Sequence, residues 1–222
     1  MKNIISLFLA LCIAAHLASA QSSFRNLNFE QARIVPIGSQ GLPLVVASNA
    51  IPGWAAYQGN TPLTEILYNT ITLGTPIVSI HDTASQIFQP FQGNYSVGIQ
   101  HSSGGPPTTA AIGQIGQVPL NALSVVFYAS NYDRLQVTFA GTPIPFVQLG
   151  MGSGYSILGG DISTYAGQIG ELRFTHIAQS GLELVELDNI QFSTQPVPEP
   201  STLALLTLAG IAGWFWWKRK AR

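Results

Sequence analysis

The stretch between the two ends of the chain is poor in positive charge. No lysine occurs between Lys2 and Lys218, and residues 21–195 contain only four scattered arginines against nine carboxylates, a net charge of −5. Nucleic-acid binding needs a clustered basic face, so nucleic acid is not an expected partner. The lack of lysine also excludes Schiff-base chemistry and lysine–asparagine isopeptide cross-links.

Cysteine is nearly absent as well. Cys12, the single cysteine of the 222 residues, lies in an N-terminal segment with one lysine, an apolar core at 4–17 and the small-x-small triplet Ala18-Ser19-Ala20. These features predict a signal peptide over residues 1–20, cleaved by signal peptidase, rather than a short N-terminal anchor. An exported chain without disulfides must be stabilised by its core or by a bound ion.

Recognisable catalytic patterns are also missing. Ser153 has Met151 and Tyr155 at the ±2 positions, so it lacks a Gly-x-Ser-x-Gly elbow, and there is no His-x-x-x-His or cysteine set for zinc. Glu183 and Glu186 would suit a secreted glycoside hydrolase only if the fold placed one opposite another at about 5–9 Å. We expect both on a solvated hairpin rim and predict that the protein is not an enzyme.

Strand patterns, by contrast, recur through the middle of the chain. Apolar and polar residues alternate in 95–99, 135–139 and 172–176, and a β-branched and aromatic run covers 122–129. Gly/Pro-rich turns separate these runs, and no long helix is expected between 24 and 194. The pattern predicts an all-β fold, an antiparallel β-sandwich (jelly roll) over residues 21–195. His176 falls on the apolar face of its strand and is expected in the core, whereas His101 is expected in a loop.

The C-terminal segment 196–222 has three zones. Pro198-Glu199-Pro200 blocks helix formation, and the uncharged residues 201–217 follow. As a helix these 17 residues span about 25 Å, slightly less than a hydrocarbon core of about 30 Å. Lys218, Arg219, Lys220 and Arg222 then form a cationic stop that favours the cytoplasmic side. We predict a single transmembrane helix at about 201–217 with a basic tail at 218–222.

These ordered elements resemble the PEP-CTERM sorting signal of Gram-negative bacteria. The resemblance implies recognition by an exosortase, a membrane protease-transpeptidase. It also implies an inner-membrane-anchored precursor and a final location at the cell surface or in the extracellular matrix, often beside exopolysaccharide.

A second resemblance follows from the order of several short motifs. They are Asn28-Phe29-Glu30, Ile51-Pro52-Gly53-Trp54, the stretch 93–100, the stretch 161–174 and Leu187-Asp188-Asn189-Ile190. In this order they resemble the galactose-binding-like jelly roll shared by many carbohydrate-binding modules. That resemblance implies adjacent first and last strands and a structural Ca²⁺ near Glu30 and Asp188. The alternative for both residues is a solvated carboxylate at a strand end.

The expected function is therefore that of an exported, non-catalytic surface or matrix protein with a structural or adhesive role. Carbohydrate binding is the alternative, and it needs exposed aromatic faces beside polar groups. We expect Trp54 to be buried between sheets, which leaves tyrosines as candidates for such a platform: Tyr57, Tyr128, Tyr132, Tyr155 and Tyr165. A row of exposed rings on one face would favour the lectin-like alternative.

Overall fold

The computed structural model describes residues 23–37, 41–72, 75–101, 109–177 and 184–198. Within them the strands form two sheets that pack face to face, which confirms an all-β sandwich. Helix is limited there to α1 (Ala47–Ala50) and two 3₁₀ turns, Tyr132–Arg134 and Ser163–Tyr165. None of these helices has the length and apolar character needed to cross a membrane. The helix expected at about 201–217 and the signal peptide lie outside the described residues.

The larger sheet has nine strands in the described part of the chain. Their order is β1 (Pro36–Ile37), β2 (Leu44–Val46), β5 (Glu65–Tyr68), β6 (Ile77–Asp82), β7 (Tyr95–Gln100), β15 (Leu184–Ser193), β9 (Ser124–Ser130), β13 (Ser156–Asp161) and β12 (Phe146–Met151). Neighbouring strands are antiparallel except β5 and β6, which are parallel. The central position of β15 places the last strand between two strands from the middle of the chain.

The smaller sheet has six strands among the same residues. Their order is β11 (Thr142–Pro143), β10 (Leu135–Phe139), β14 (Ile169–His176), β8 (Ala110–Gln117), β3 (Ala55–Gln58) and β4 (Thr61–Leu63). The turn after β9 connects β9 of the larger sheet to β10 of the smaller sheet. The two strand-forming runs on either side of this turn, 122–129 and 135–139, therefore do not form a hairpin.

The core lies between the sheets and follows the alternation expected from the sequence. In β10 every second residue is buried, Phe139 fully so, and Leu172 and Phe174 of β14 are also fully buried. Trp54 is only 5% exposed, and its Nε1–H donates to the carbonyl of Asn26 at 3.0 Å. Its expected position between the sheets is confirmed.

The first and last segments of the sandwich lie side by side, but not as two paired strands. The N–H of Ile190 donates to the carbonyl of Leu27 at 2.9 Å, whereas residues 28–31 form a turn. β15 contains a bulge there, since Asp188 pairs with Tyr128 and Gln191 with Val126. An extra residue of this kind leaves backbone groups free to pair outside the ladder, which is what Ile190 does.

Candidate functional site

The outer face of the larger sheet is covered by the connection between β6 and β7. This connection, residues 83–94, has no regular secondary structure and is called the cover segment below. The ring of Phe88 stacks on His81 of β6, with centroids 5.2 Å apart, and the ring of Phe91 stacks on Tyr155 next to β13, 4.8 Å away. The cover segment therefore crosses the outer face from β6 towards β13.

Beneath the cover segment lies a buried polar cluster. Nδ1 of His81 is 2.9 Å from both carboxylate oxygens of Glu186, and the hydroxyl of Ser96 also contacts that carboxylate. All three side chains are at most 1% exposed. An ionised carboxylate only accepts hydrogen bonds, so in this arrangement Nδ1–H of His81 and Oγ–H of Ser96 donate to it. The cluster satisfies the buried charge of Glu186.

The close approach of these side chains depends on Gly98. A Cβ at this position would lie 2.5 Å from Oγ of Ser79 and 2.8 Å from Cε1 of His81. A glycine inside a strand commonly marks such a close approach. Gly98 thus gives the imidazole of His81 room to lie flat across β7 towards β15.

Asp188 lies on the same face of β15, two residues after Glu186. It is fully buried, and its carboxylate accepts backbone N–H groups of Phe91 (3.1 Å), Gln92 (2.8 Å) and Asn189 (2.6 Å). Burial, the largest effect, and the nearby charge of Glu30 together raise the pKa of the Asp188 carboxyl to about 7, although the three N–H groups lower it. The backbone of the cover segment at Phe91 and Gln92 is thus bound by a carboxyl group that titrates near neutral pH.

Glu30 holds the end of the same segment. Its Oε1 accepts the backbone N–H groups of Asn94 (2.8 Å) and Tyr95 (3.0 Å), and its Oε2 accepts the side-chain amide of Asn94 (2.9 Å). A Cβ at Gly93, where φ is +67°, would lie 2.4 Å from Oε1 of Glu30. Only glycine fits both that backbone conformation and that contact.

The structure thus brings Glu30 and Asp188 to one loop, as the resemblance to the galactose-binding-like fold implied. Their four oxygens already accept six N–H groups, whereas a carboxylate offers about four lone-pair sites. One site remains on each carboxylate, so a Ca²⁺ ion, which takes 6–8 oxygen ligands, would depend mainly on backbone carbonyls. Across the described ranges no three His, Cys, Asp or Glu side chains form a group suited to a metal. A structural calcium ion at Glu30 and Asp188 therefore stays a prediction.

Next to the cluster lies an open pocket lined by Phe91 and Tyr155, two members of a row of stacked aromatic rings. Tyr155 stacks on Phe91 on one side and on Tyr128 on the other, with centroids 4.8 and 4.7 Å away and interplanar angles of 26° and 23°. All three rings are half-buried. The pocket has a volume of about 680 Å³ and is lined by Ile87, Phe88, Gln89, Pro90, Phe91, Ser130, Asn131, Ser153, Gly154, Tyr155 and Glu186. Its size falls within the range of small-molecule sites.

The residues singled out from the sequence have different outcomes. Tyr128 and Tyr155 join the aromatic row, whereas Tyr57 and Tyr165 lie elsewhere: Tyr57 beneath Arg173 of the smaller sheet, and Tyr165 against Phe139. Phe91 was not anticipated from the sequence; the signal that could have found it is the cluster of aromatic, glutamine and proline residues at 86–92. Glu186 was expected on a solvated rim, and this is wrong, because the cover segment buries it. Glu183, Glu199, Pro200 and the basic tail lie outside the described residues.

His176 and His101 lie apart from the buried polar cluster that contains His81. His176 is fully buried on the inner face of β14, as expected, and its Nδ1 lies 2.9 Å from the carbonyl oxygen of Ile99. Burial lowers the pKa of His176 to about 4. His101, expected in a loop, follows β7 directly; it is fully buried, and its ring packs edge-on against that of His176 at 4.6 Å. Neither belongs to the outer pocket.

Comparison with protein families identifies one motif. Residues 196–220 match the PEP-CTERM protein-sorting motif, which confirms the assignment of Pro198-Glu199-Pro200 and the segment that follows. The motif implies that the protein is exported, that an exosortase sorts it, and that its precursor is anchored in a membrane. A search of curated proteins found no relative.

Solved structures with a similar arrangement of strands include cyclases of Fischerella. The apo form of a cyclase from Fischerella sp. is 13% identical, covers 77% of this chain and 94% of its own, and has a TM-score of 0.40. A cyclase from Fischerella sp. TAU in complex with 4-(1H-indol-3-yl)butan-2-one is 14% identical, with 81% and 99% covered and a TM-score of 0.42. Likeness at this level carries no information on what the present chain binds or does.

Proposed function

We propose that this is an exported, non-catalytic surface or matrix protein whose sandwich adheres to polysaccharide through the aromatic pocket. The observation that carries the proposal is the pocket of about 680 Å³, which is lined by the aromatic rings of Phe88, Phe91 and Tyr155. Sugar rings present apolar faces that pack on aromatic rings, and hydroxyl groups that need polar partners nearby. The galactose-binding-like character of the fold and its location in the matrix belong to the same proposal.

The polar groups around the pocket favour a neutral glycan. Gln89, Asn131, Ser130 and Ser153 supply amide and hydroxyl groups, whereas the one carboxylate among the lining residues, that of Glu186, is already bound by His81 and Ser96. None of the lining residues is Lys or Arg, so the pocket lacks the groups that bind sulfate or uronate. The negative charge of the stretch 21–195 would also repel an acidic polymer.

We propose that the protein is not catalytic because of the way in which two carboxylates near the pocket, those of Glu186 and Asp188, are held. Glu186 is engaged by His81 and Ser96, and Asp188 by three backbone N–H groups, and both are at most 1% exposed. A glycosidase needs one carboxyl group to reach the glycosidic oxygen and another to act on the opposite face of the sugar. Carboxyl groups that are buried and bound in this way are better suited to stabilising the cover segment than to catalysing hydrolysis.

Binding is tested with the purified full chain in detergent against insoluble neutral polysaccharides, with alginate as the acidic comparator. We expect Tyr155→Ala to weaken binding to the best neutral polymer about tenfold to a hundredfold, as truncation of a central aromatic contact does. Tyr57→Ala is the matched control, because Tyr57 is also half-buried but lies on the outer face of the other sheet.

Two results would contradict the proposal. Equal binding by Tyr155→Ala and wild type, or no retention by any polymer, would remove the pocket as a glycan site and leave a purely structural role. Release of soluble sugar that is lost in Glu186→Gln would show a glycoside hydrolase instead.

A further inference from the structure

Both termini of the described chain leave the sandwich at the same end. Ser23 bridges to Gln117, the last residue of β8. β15 finishes at Ser193, whose carbonyl accepts the N–H of Leu123 at 2.8 Å, and the rings of Phe24 and Phe192 lie 5.1 Å apart. We call this region the exit end; it consists of Ser23 and the segments 118–123, 162–169 and 193–198.

The exit end exposes three large aliphatic side chains beside polar but uncharged residues. None of its residues is Asp, Glu, Lys or Arg. Leu120 is 84% exposed, Ile169 52% and Leu123 38%, although each has a long aliphatic side chain. An exposed acid, Asp161, borders this end, and its carboxylate accepts the N–H of Ser163 at 2.8 Å; the hydrogen bonds from Ser163 lower the pKa of Asp161. Exposed aliphatic side chains at one end of a domain indicate a surface that meets something apolar.

The chain beyond the exit end indicates what that partner is. The uncharged apolar stretch 203–217 begins five residues after Pro198, and five residues reach at most about 18 Å when fully extended. Residues 196–198 already lie along this end, where they line a cleft of about 410 Å³ with Leu123, Ser163 and the neighbouring Asp161. The apolar stretch 4–17 precedes Ser23 by a similarly short distance along the chain. Both apolar stretches are therefore connected to the exit end by short lengths of chain.

We propose that in the membrane-anchored precursor the exit end rests on the lipid bilayer, with Leu120, Leu123 and Ile169 inserted at its surface. Aliphatic side chains gain free energy on leaving water at the boundary between headgroups and acyl chains.

The same geometry directs the glycan pocket away from the membrane. Ser130, at the edge of the pocket, ends β9, whereas Ser124 at its start donates to the carbonyl of Gln195 at the exit end. Seven residues of strand separate the two ends by about 20 Å. This inference rests on the membrane anchoring of the precursor and does not depend on glycan binding.

The test measures contact of chosen positions with lipid in the full chain. Cys12→Ala removes the native thiol, so a single cysteine can be introduced at Leu120 or, as the control, at Met151. Met151 is 76% exposed and lies at the opposite end of the larger sheet, where it pairs with Ser156. Each variant, labelled with an environment-sensitive fluorophore, is reconstituted at one copy per nanodisc of phosphatidylethanolamine and phosphatidylglycerol, with and without lipids that carry a shallow nitroxide quencher.

We expect the label at 120 to be quenched several-fold more than the label at 151 and to emit at shorter wavelength. Equal or absent quenching at both positions would overturn the inference while leaving the anchor intact. A shift in emission at 120 without quenching by lipid would assign the surface to a protein contact instead. A chain that does not co-purify with nanodiscs would disprove the anchor itself, and the inference with it.

Discussion

The outer faces of the two sheets differ in what covers them. On the larger sheet the cover segment leaves Ser96, His81, Glu186 and Asp188 at most 1% exposed. On the smaller sheet the outward residues of β10 and β14 are at least partly exposed, and the ion pair of Glu171 with Arg173 at 3.8 Å has side chains 31% and 19% exposed. Both faces carry an acid beside a base, but only one pair is removed from water.

Burial changes what such a pair contributes to stability. A pair near solvent is screened by water and contributes about 0–1 kcal/mol. A buried carboxylate that loses its partner is left uncompensated in a medium that solvates it poorly, which costs about 3–5 kcal/mol. The covered face therefore depends on its polar contacts, whereas the open face does not.

The largest expected difference follows from removing the base of each pair. His81→Ala should lower the free energy of unfolding by about 3–5 kcal/mol because Glu186 stays buried without its partner. Arg173→Ala should cost about 1 kcal/mol. Urea unfolding of both variants measures the two values, and similar losses would show that the cover segment does not isolate His81 from water. The double variant His81→Phe, Glu186→Leu is the control, since removing both polar groups should recover part of the loss.

The second prediction compares the two sides of the smaller sheet. Phe139→Ala should cost about 3–5 kcal/mol, because the fully buried ring leaves a cavity in the core. Thr138→Ala, one residue earlier on the open outer face, should stay within about 1 kcal/mol. Thermal and urea unfolding provide both values. Equal effects would mean that the outer face of the smaller sheet is also covered.

The third prediction uses the dependence of stability on pH. Asp188 ionises near 3.8 when unfolded and near 7 when folded, so its contribution is present at low pH and lost as pH rises from about 4 to 7. His176 shifts from 6.5 to about 4, so its contribution is lost as pH falls through that range. A difference of one bound proton between the folded and unfolded states changes the free energy of unfolding by about 1.4 kcal/mol per pH unit. Between pH 4 and 6.5 the contributions of Asp188 and His176 to this dependence have opposite signs.

A variant that lacks one of the two groups, Asp188 or His176, should therefore show the pH dependence of stability that the other group causes. In Asp188→Asn we expect stability to fall more steeply than in wild type as pH decreases from 6.5 to 4. In His176→Gln it should fall more steeply as pH increases from 4 to 7. Melting temperatures at half-unit pH steps give both curves. Curves parallel to wild type would show that neither group is buried in the way described, and Glu171→Gln on the open face serves as the control.

The smallest expected effect concerns calcium at the base of the cover segment. If Ca²⁺ binds through Glu30 and Asp188, a concentration one hundred times the dissociation constant would stabilise the fold by about 2.7 kcal/mol, and a chelator would lower the melting temperature accordingly. Glu30→Gln should abolish the response, whereas Glu171→Gln should keep it. An unchanged melting temperature under chelation would remove the site and leave this loop held by the six N–H contacts and by the stacking of Phe88 and Phe91.

Several features of the protein followed from local sequence. Alternation of apolar and polar residues reports the two faces of a strand, so the inward positions of Leu172, Phe174 and Phe139 could be predicted. Trp54 followed from the motif around it. The sorting motif at 196–220 is linear, which is why it could be recognised without any fold. Each of these signals extends over only a few residues, so it can be recognised in the sequence without knowledge of the fold.

The outer face was decided by tertiary structure. Alternation shows that His81 and Glu186 point away from the core, but not that residues 83–94 fold back over them. These two residues are 105 positions apart in the sequence, and they meet because β15 enters the sheet beside β7. Burial of Glu186, the titration of Asp188 near pH 7 and the stacking of Phe91 on Tyr155 all result from that long-range pairing. Local patterns contain no information on which distant segment supplies the cover, so only the folded chain determines where its carboxylates are removed from water.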